Sequence, residues 1–263
     1  MAAPPKPGAG AQEAPEFSDF RVSLLPDGGF APEGPRRPDL WCSQGFCTKR
    51  VGPDYRRTIR LVEEIDVIDA KGAKSRYAVG EALAEVRQSI SGVVWPPGAD
   101  RFTIYPQSGK KSGEGNGVGP IKTAFITQLT DRGWSYEKPF PIPGVPGGSA
   151  FGPLDAAKGT DAGVVAVEWE TGNISSSHRA MNKMCLGLRR GGLIAGVLIV
   201  PTRQLAQYLT DRIGNVYELL SYVDHWAAVP VDVGYLGIFA VEHDATSMDV
   251  PRILKATDGR ALR

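Results

Sequence analysis

The run Leu193-Ile-Ala-Gly-Val-Leu-Ile-Val200 is the most apolar stretch of the chain and constrains its fold more than any other segment. It is far shorter than the roughly 20 apolar residues of a membrane-spanning helix. It also lacks the polar alternation of a strand with one wet face, so it predicts a central strand covered on both sides. A strand of that kind needs helices above and below its sheet. The neighbouring sequence offers them. A helix is predicted from Pro120 to about Arg132, with Pro in the first turn and Ile121, Phe125, Ile126 and Leu129 on its inner face. A second is predicted from a cap at Ser175 or Ser176 to about Leu188, ended by Gly191-Gly192, and a third from about Thr202 to Leu220.

Between Arg56 and Ile90, apolar residues at Ile59, Val62, Ile65, Val67 and Ile68, and then at Val79, Leu83, Val86 and Ile90, predict two helices or one broken helix. Arg101 to Tyr105 and Tyr235 to Val241 read as strands, as does Val164 to Glu170. The resulting order describes an α/β chain with a central mixed β-sheet flanked by helices.

Residues 1–16, MAAPPKPGAGAQEAPE, have no apolar periodicity and are expected to be a disordered tail before a single domain over 17–263. They lack the continuous apolar stretch of a secretory signal, and no window suits a membrane span, so a cytoplasmic protein is expected. The cysteines Cys42, Cys47 and Cys185 have no metal-site spacing, and reduced thiols are expected. His225 and His243 are far apart and make no metal set with them. The net charge of +1 neither demands nor excludes nucleic acid, because binding depends on local surfaces. Basic runs stand at Lys49-Arg50, Arg56-Arg57 with Arg60, Lys110-Lys111 and Arg189-Arg190.

The chemistry concentrates in Val164-Val-Ala-Val-Glu-Trp-Glu-Thr-Gly-Asn173. In a strand, Val165, Val167 and Trp169 share one face, while Ala166, Glu168 and Glu170 share the other. Carboxylates among apolar residues are costly unless paired, and a divalent cation is one remedy. A solvated strand face is the simpler reading of a bare Glu-x-Glu. A third acid precedes it, either Asp155 in Pro153-Leu-Asp155-Ala-Ala-Lys158 or Asp161. The latter lies nearer the strand but between Gly159 and Gly163, where a turn residue is expected. Oxygen donors of this kind suit magnesium and phosphate-ester chemistry.

Pro153-Leu-Asp155-Ala-Ala-Lys158 followed by Gly163-Val-Val-Ala-Val-Glu168-Trp-Glu170 resembles the PD-(D/E)XK nuclease motif, in the variant of the BglII, BamHI and BstYI group of type II restriction endonucleases. There the usual lysine is replaced by Glu or Gln, here Glu170. The stretch Asn173-Ile-Ser-Ser-Ser-His-Arg-Ala-Met-Asn-Lys-Met184 and the stretch Gly115-Asn-Gly-Val-Gly-Pro-Ile-Lys122 resemble the same group, so the likeness spans about residues 100–200. It implies a homodimeric, Mg2+-dependent enzyme that cuts double-stranded DNA at a short palindromic site, beside a cognate methyltransferase. By that likeness Asp155 and Glu168 are metal ligands, and Glu170 orients or deprotonates the attacking water. A structure-specific or repair nuclease with the same core, and a non-catalytic DNA-binding module, are the alternatives.

Candidate DNA contacts follow from charge and from helix starts, which attract phosphate. They are Lys110 and Lys111 in the Gly-rich loop Ser108 to Gly119, Lys158, and the helix start with Asn173, Ser175, Ser176, Ser177 and Arg179. Asn116 of the same loop is a further candidate DNA contact, and Asn116 and Glu114 are looser candidates for the metal site. The loop itself is expected to be mobile, and it lacks the spacing of a Walker loop. His178 reads as an ordinary surface histidine, and Arg203, Asp211 and Arg212 as a solvated helix face.

Overall fold

The strand Gly234–Glu242 runs through the middle of the sheet, and every residue of it from Gly234 to Val241 is buried. This computed structural model describes the backbone of 40–43 and 46–50, and residues 59–111, 113–137, 139, 143–144, 152–210 and 213–255. The tail at 1–16, the arginines at 56 and 57, and Asp211 and Arg212 lie outside them.

The strands are β1 (Leu40–Ser43), β2 (Phe46–Arg50), β3 (Arg60–Ala70), β4 (Thr103–Ile104), β5 (Ser135–Tyr136), β6 (Ala156–Thr160), β7 (Gly163–Trp169), β8 (Ala195–Pro201), β9 (Gly234–Glu242) and β10 (Ala245–Thr246). The helices are α1 (Tyr77–Ser91), α2 (Gly119–Thr130), α3 (Ile174–Arg189), α4 (Arg203–Ala206), α5 (Val216–Leu220) and α6 (Val223–Ala227). Eight strands form one sheet in the order β1-β2-β3-β9-β8-β7-β6-β5, and β4 and β10 form a separate parallel pair. The β7-β8 and β8-β9 pairs are parallel and the rest of the large sheet is antiparallel, so the sheet is mixed as expected.

Alternation along the central strands builds two cores. Val165, Val167, Trp169, Ala195, Val197, Ile199, Tyr235 and Phe239 pack with α1 and α2 on one face. Ala166, Leu198, Val200, Leu236, Ile238 and Ala240 pack with α3, α5 and α6 on the other. The apolar run is therefore buried from Leu193 to Val200, as its composition predicts. At Gly196 the α3 helix comes so close that a Cβ would meet Met184 Sδ at 2.8 Å.

Two sequence expectations are corrected. Residues 60–70 form strand β3 rather than helix. Its register slips between Leu61 and Glu63 and between Asp66 and Ile68, and such bulges disturb the period of two that identifies a strand. The helix expected over 202–220 is broken into α4 and α5, with Leu209 bridging to Asn116 between them. Strand β6, which carries the residues after Asp155, was hidden because Ala156-Ala-Lys-Gly-Thr160 is short and poor in β-formers.

Candidate active site

Asp155 directly precedes β6, and extending the register Ala156↔Val167 by one residue sets it opposite Glu168. The two are locked by backbone amides. The Asp155 N–H donates to Glu168 Oε2 at 2.9 Å, and the Trp169 N–H donates to Asp155 Oδ2 at 2.9 Å. Trp169 is itself anchored, its buried ring lying 4.7 Å from that of Phe125 on α2. Because side chains alternate, the packing of Trp169 on the α2 side turns Glu168 towards the α3 side.

Glu170 follows the last residue of β7. Its N–H continues the ladder to the Ile199 carbonyl at 2.8 Å, and its Oε1 accepts from the Gly172 N–H at 2.6 Å. The carboxylate is thus folded into the turn that begins α3. Asn173 caps that helix, its side chain accepting from the Ser176 N–H.

Three cations frame these acids. Lys122 Nζ, from the first turn of α2, donates to Asp155 Oδ1 at 2.5 Å. Lys183 of α3 is only 6% exposed and donates to the Pro153 carbonyl at 2.8 Å. Arg179, exposed on the first turns of α3, acts on Glu170 from a distance. Burial, and next the Asp155 charge, push Glu168 up to about 7. Burial also raises Glu170, offset in part by the Gly172 N–H. Burial opposes the Lys122 ammonium, but Asp155 outweighs it and lifts its pKa above the ordinary lysine value. Lys183 is lowered, burial prevailing over the attraction of Glu168.

Asp155 and Glu168 fit a hard divalent cation in donor type, and the charge balance agrees. Glu168 resists ionising because it is desolvated beside a second carboxylate, and a cation would relieve that repulsion. Among the described residues no group of three or more His, Cys, Asp or Glu could hold a metal unaided. Two carboxylates with the remaining positions left to water or phosphate is the arrangement magnesium tolerates best.

Not every expected residue reaches this place. Asp161 is exposed in the hairpin turn joining β6 to β7, at the other end of the strands from Asp155. Lys158 faces α1, with Nζ 2.7 and 2.8 Å from the two Glu85 carboxylate oxygens and 3.2 Å from the Arg132 carbonyl. It is tied internally, and strand alternation puts it on the face away from Glu168. Asn116 is fully buried, its amide donating to the Tyr105 and Tyr208 carbonyls at 2.9 and 2.8 Å and its Oδ1 accepting from the Ile253 N–H. It holds loops together rather than facing DNA. Ser177 is likewise interior at 1% exposure, while Asn173, Ser175 and Arg179 are exposed and Ser176 is partly so at the start of α3. Lys110 and Lys111 are exposed. The Glu114 carbonyl accepts from Lys255 Nζ, and His178 packs edge-on to Tyr222 at 4.3 Å.

Lys122 and Lys183 were missed from the sequence. A signal existed for Lys183, since it stands on the helix stripe of Ala180, Met184 and Leu188, where a lysine requires an anionic or carbonyl partner. Glu137 was missed too; its N–H donates to the Asp155 carbonyl at 3.0 Å, while its own carboxylate accepts from the Tyr136 hydroxyl.

Residues 59–260 match the family described as restriction endonuclease BamHI. The chain belongs to the BamHI restriction endonuclease family. It is 44% identical over 202 residues to the type II restriction enzyme OkrAI of Oceanobacter kriegii, covering 77% of this chain and 99% of that enzyme. It is 37% identical over 190 residues to the type II restriction enzyme BamHI of Bacillus amyloliquefaciens, covering 70% and 84%. Among solved structures it is similar to restriction endonuclease BglII complexed with a DNA 16-mer, at 15% identity and a TM-score of 0.36 over 47% of this chain and 55% of that one. That last likeness is too slight to carry an argument. As a BamHI-family member the chain is a type II restriction enzyme, a site-specific deoxyribonuclease that binds DNA, and its class is generally dependent on a divalent metal.

Proposed function

We propose that Asp155, Glu168 and Glu170 are the hydrolytic centre of a magnesium-dependent enzyme that cuts both strands of a short palindromic DNA site as a homodimer. The observation that carries this reading is the mutual locking of Asp155 and Glu168 through two backbone amides on facing strand ends. Asp155 and Glu168 would hold the magnesium ion. When bound, magnesium supplies an activated nucleophile at neutral pH and offsets the charge that develops on the phosphate. Glu170, with its pKa raised by burial, is a stronger base than an ordinary carboxylate and takes the proton from the attacking water. Its bond to the Gly172 N–H fixes the direction of that carboxylate.

Asn173, Ser175, Ser176 and Arg179 bind the phosphate backbone beside the scissile bond, at a helix start whose amide dipoles favour anions. Lys110 and Lys111 bind phosphates further along the duplex. A two-fold dimer matches the symmetry of a palindrome and brings one centre to each strand. A cognate methyltransferase that modifies the same site would protect the DNA of a cytoplasm in which the enzyme works.

Plasmid DNA incubated with the protein and magnesium tests the proposal, with Glu168→Ala alongside. Discrete fragments from the wild type and intact plasmid from the variant are expected. Equal cutting by both proteins, or none by either across varied duplexes, would refute it.

A further inference from the structure

We propose that Lys122 is a resident counter-ion which occupies the metal's place at Asp155 and is displaced when the metal binds. The inference rests on Asp155 and Glu168 being the metal site. It starts from the two oxygens of Asp155. Oδ2 is committed to the Trp169 N–H inside the protein, which leaves Oδ1 as the oxygen a metal can take. Lys122 Nζ sits on that oxygen, at 2.5 Å. It is also close enough to Glu168 for the two charges to act on each other. The ammonium therefore holds the Asp155 oxygen that a cation bound by both acids would need.

The two lysines of the site differ in what they are free to do. Lys183 is buried, and its Nζ is tied to a backbone carbonyl that cannot move without the chain. Lys122 has 34% of its side chain exposed, and its ammonium is bonded to the carboxylate that the metal would claim. A lysine is a point charge on a flexible four-carbon stem, able to swing where a fixed guanidinium could not. Lys183 is thus the permanent cation of the site and Lys122 the exchangeable one. In the metal-free protein Lys122 compensates a buried carboxylate that would otherwise stand beside Glu168 unpaired. Once a metal arrives, two cations on one oxygen repel, and Lys122 turns outward. A phosphate of the substrate is the nearest anion chemistry would offer it. Metal and DNA binding are coupled by this exchange, since DNA rewards the displacement that the metal requires.

Titration of the metal-free full chain with Mn2+ by calorimetry, without DNA, tests the exchange. Wild type, Lys122→Met, Lys122→Ala and Asp155→Asn are compared. The Lys122 variants are expected to bind Mn2+ about tenfold more tightly than wild type, because no resident cation has to be expelled. Asp155→Asn is expected to lose the binding. Unchanged or weaker binding in both Lys122 variants, with Asp155→Asn still silent, overturns the exchange and leaves the metal site standing. Equal binding by wild type and Asp155→Asn removes the site and the exchange together. Amine acetylation of the wild type gives a readout that needs no variant to fold. Lys122 is expected to become more reactive when Mn2+ is added, and equal reactivity with and without Mn2+ overturns the proposal.

Discussion

Glu168 is held in a setting that disfavours its charge, and this has a consequence for stability. With burial and Asp155 pushing it up to about 7 from an ordinary 4.5, the folded protein keeps a proton there that the unfolded chain has already released. A group raised in the folded state contributes stability that is fully present below its unfolded pKa and lost as pH rises through the folded one. The metal-free protein is therefore expected to weaken between about pH 4.5 and pH 7 on account of this residue. In Glu168→Gln the urea midpoint, followed in a chelator, should decline less over that interval. An equal decline in both proteins would show that Glu168 is not the group responsible. Asp155→Asn should reduce cleavage by on the order of a thousandfold, several kcal/mol of lost charge stabilisation. Metal-free DNA binding should persist, because two negative charges beside a phosphate become one; a gel shift measures it.

The loops around the site owe their arrangement to two small elements. Asn116 ties Tyr105, Tyr208 and Ile253 with its amide, so three backbone segments depend on one side chain. Asn116→Ala leaves the Ile253 N–H without its acceptor, while the Tyr105 and Tyr208 carbonyls keep the Gln107 and Asn116 backbone N–H donors, and is expected to cost about 1–3 kcal/mol in chemical denaturation. Below about 0.5 kcal/mol, the tie would be dispensable. Gly214 acts at the start of α3. Its N–H donates to the Gly172 carbonyl at 3.0 Å, and a Cβ would lie 3.0 Å from Ile174 Cα and 3.1 Å from Ile174 N. Gly214→Ala must push the helix start aside, moving Asn173, Ser175 and Arg179 relative to Glu170. DNA affinity is expected to fall while Mn2+ affinity in the absence of DNA stays at the wild-type value. A loss of both would mean that the shift reaches Asp155.

At the scale of the whole molecule the net charge is only +1, so attraction to DNA has to come from local surfaces. Lys110 and Lys111 are exposed on a loop whose neighbours are held by Gly109 N–H to the Gln207 carbonyl and Gly117 N–H to the Ile253 carbonyl. Each lysine replaced by alanine should reduce the slope of log affinity against log salt by about 1, with little change in which sequence is cut. An unaltered slope would remove that lysine from the interface. Sedimentation of the DNA-free protein should report a dimer if both strands are cut in one encounter, and a monomer at every concentration would contradict the symmetric arrangement.

The sequence by itself determined the layers and the acids. Leu193 to Val200 could be stable only between two layers of helix, and Glu168 could share a face with Glu170 and oppose Trp169 only in a strand, because both follow from local period and burial. Helix α3 was legible from its apolar stripe and its Gly191-Gly192 end, although its cap is Asn173 and not Ser175 or Ser176, which lie inside its first turn. Tertiary structure decided what depends on residues far apart in the chain. It placed Asp155 rather than Asp161 beside Glu168 through the β6-β7 register, turned Lys158 to the opposite face, and drew Asn116 and Ser177 inside. It also brought Lys122 and Lys183 to the acids from two different helices. No local pattern encodes such meetings, because a side chain's electrostatic partners are set by which faces pack, and packing is settled only when the whole sheet has formed.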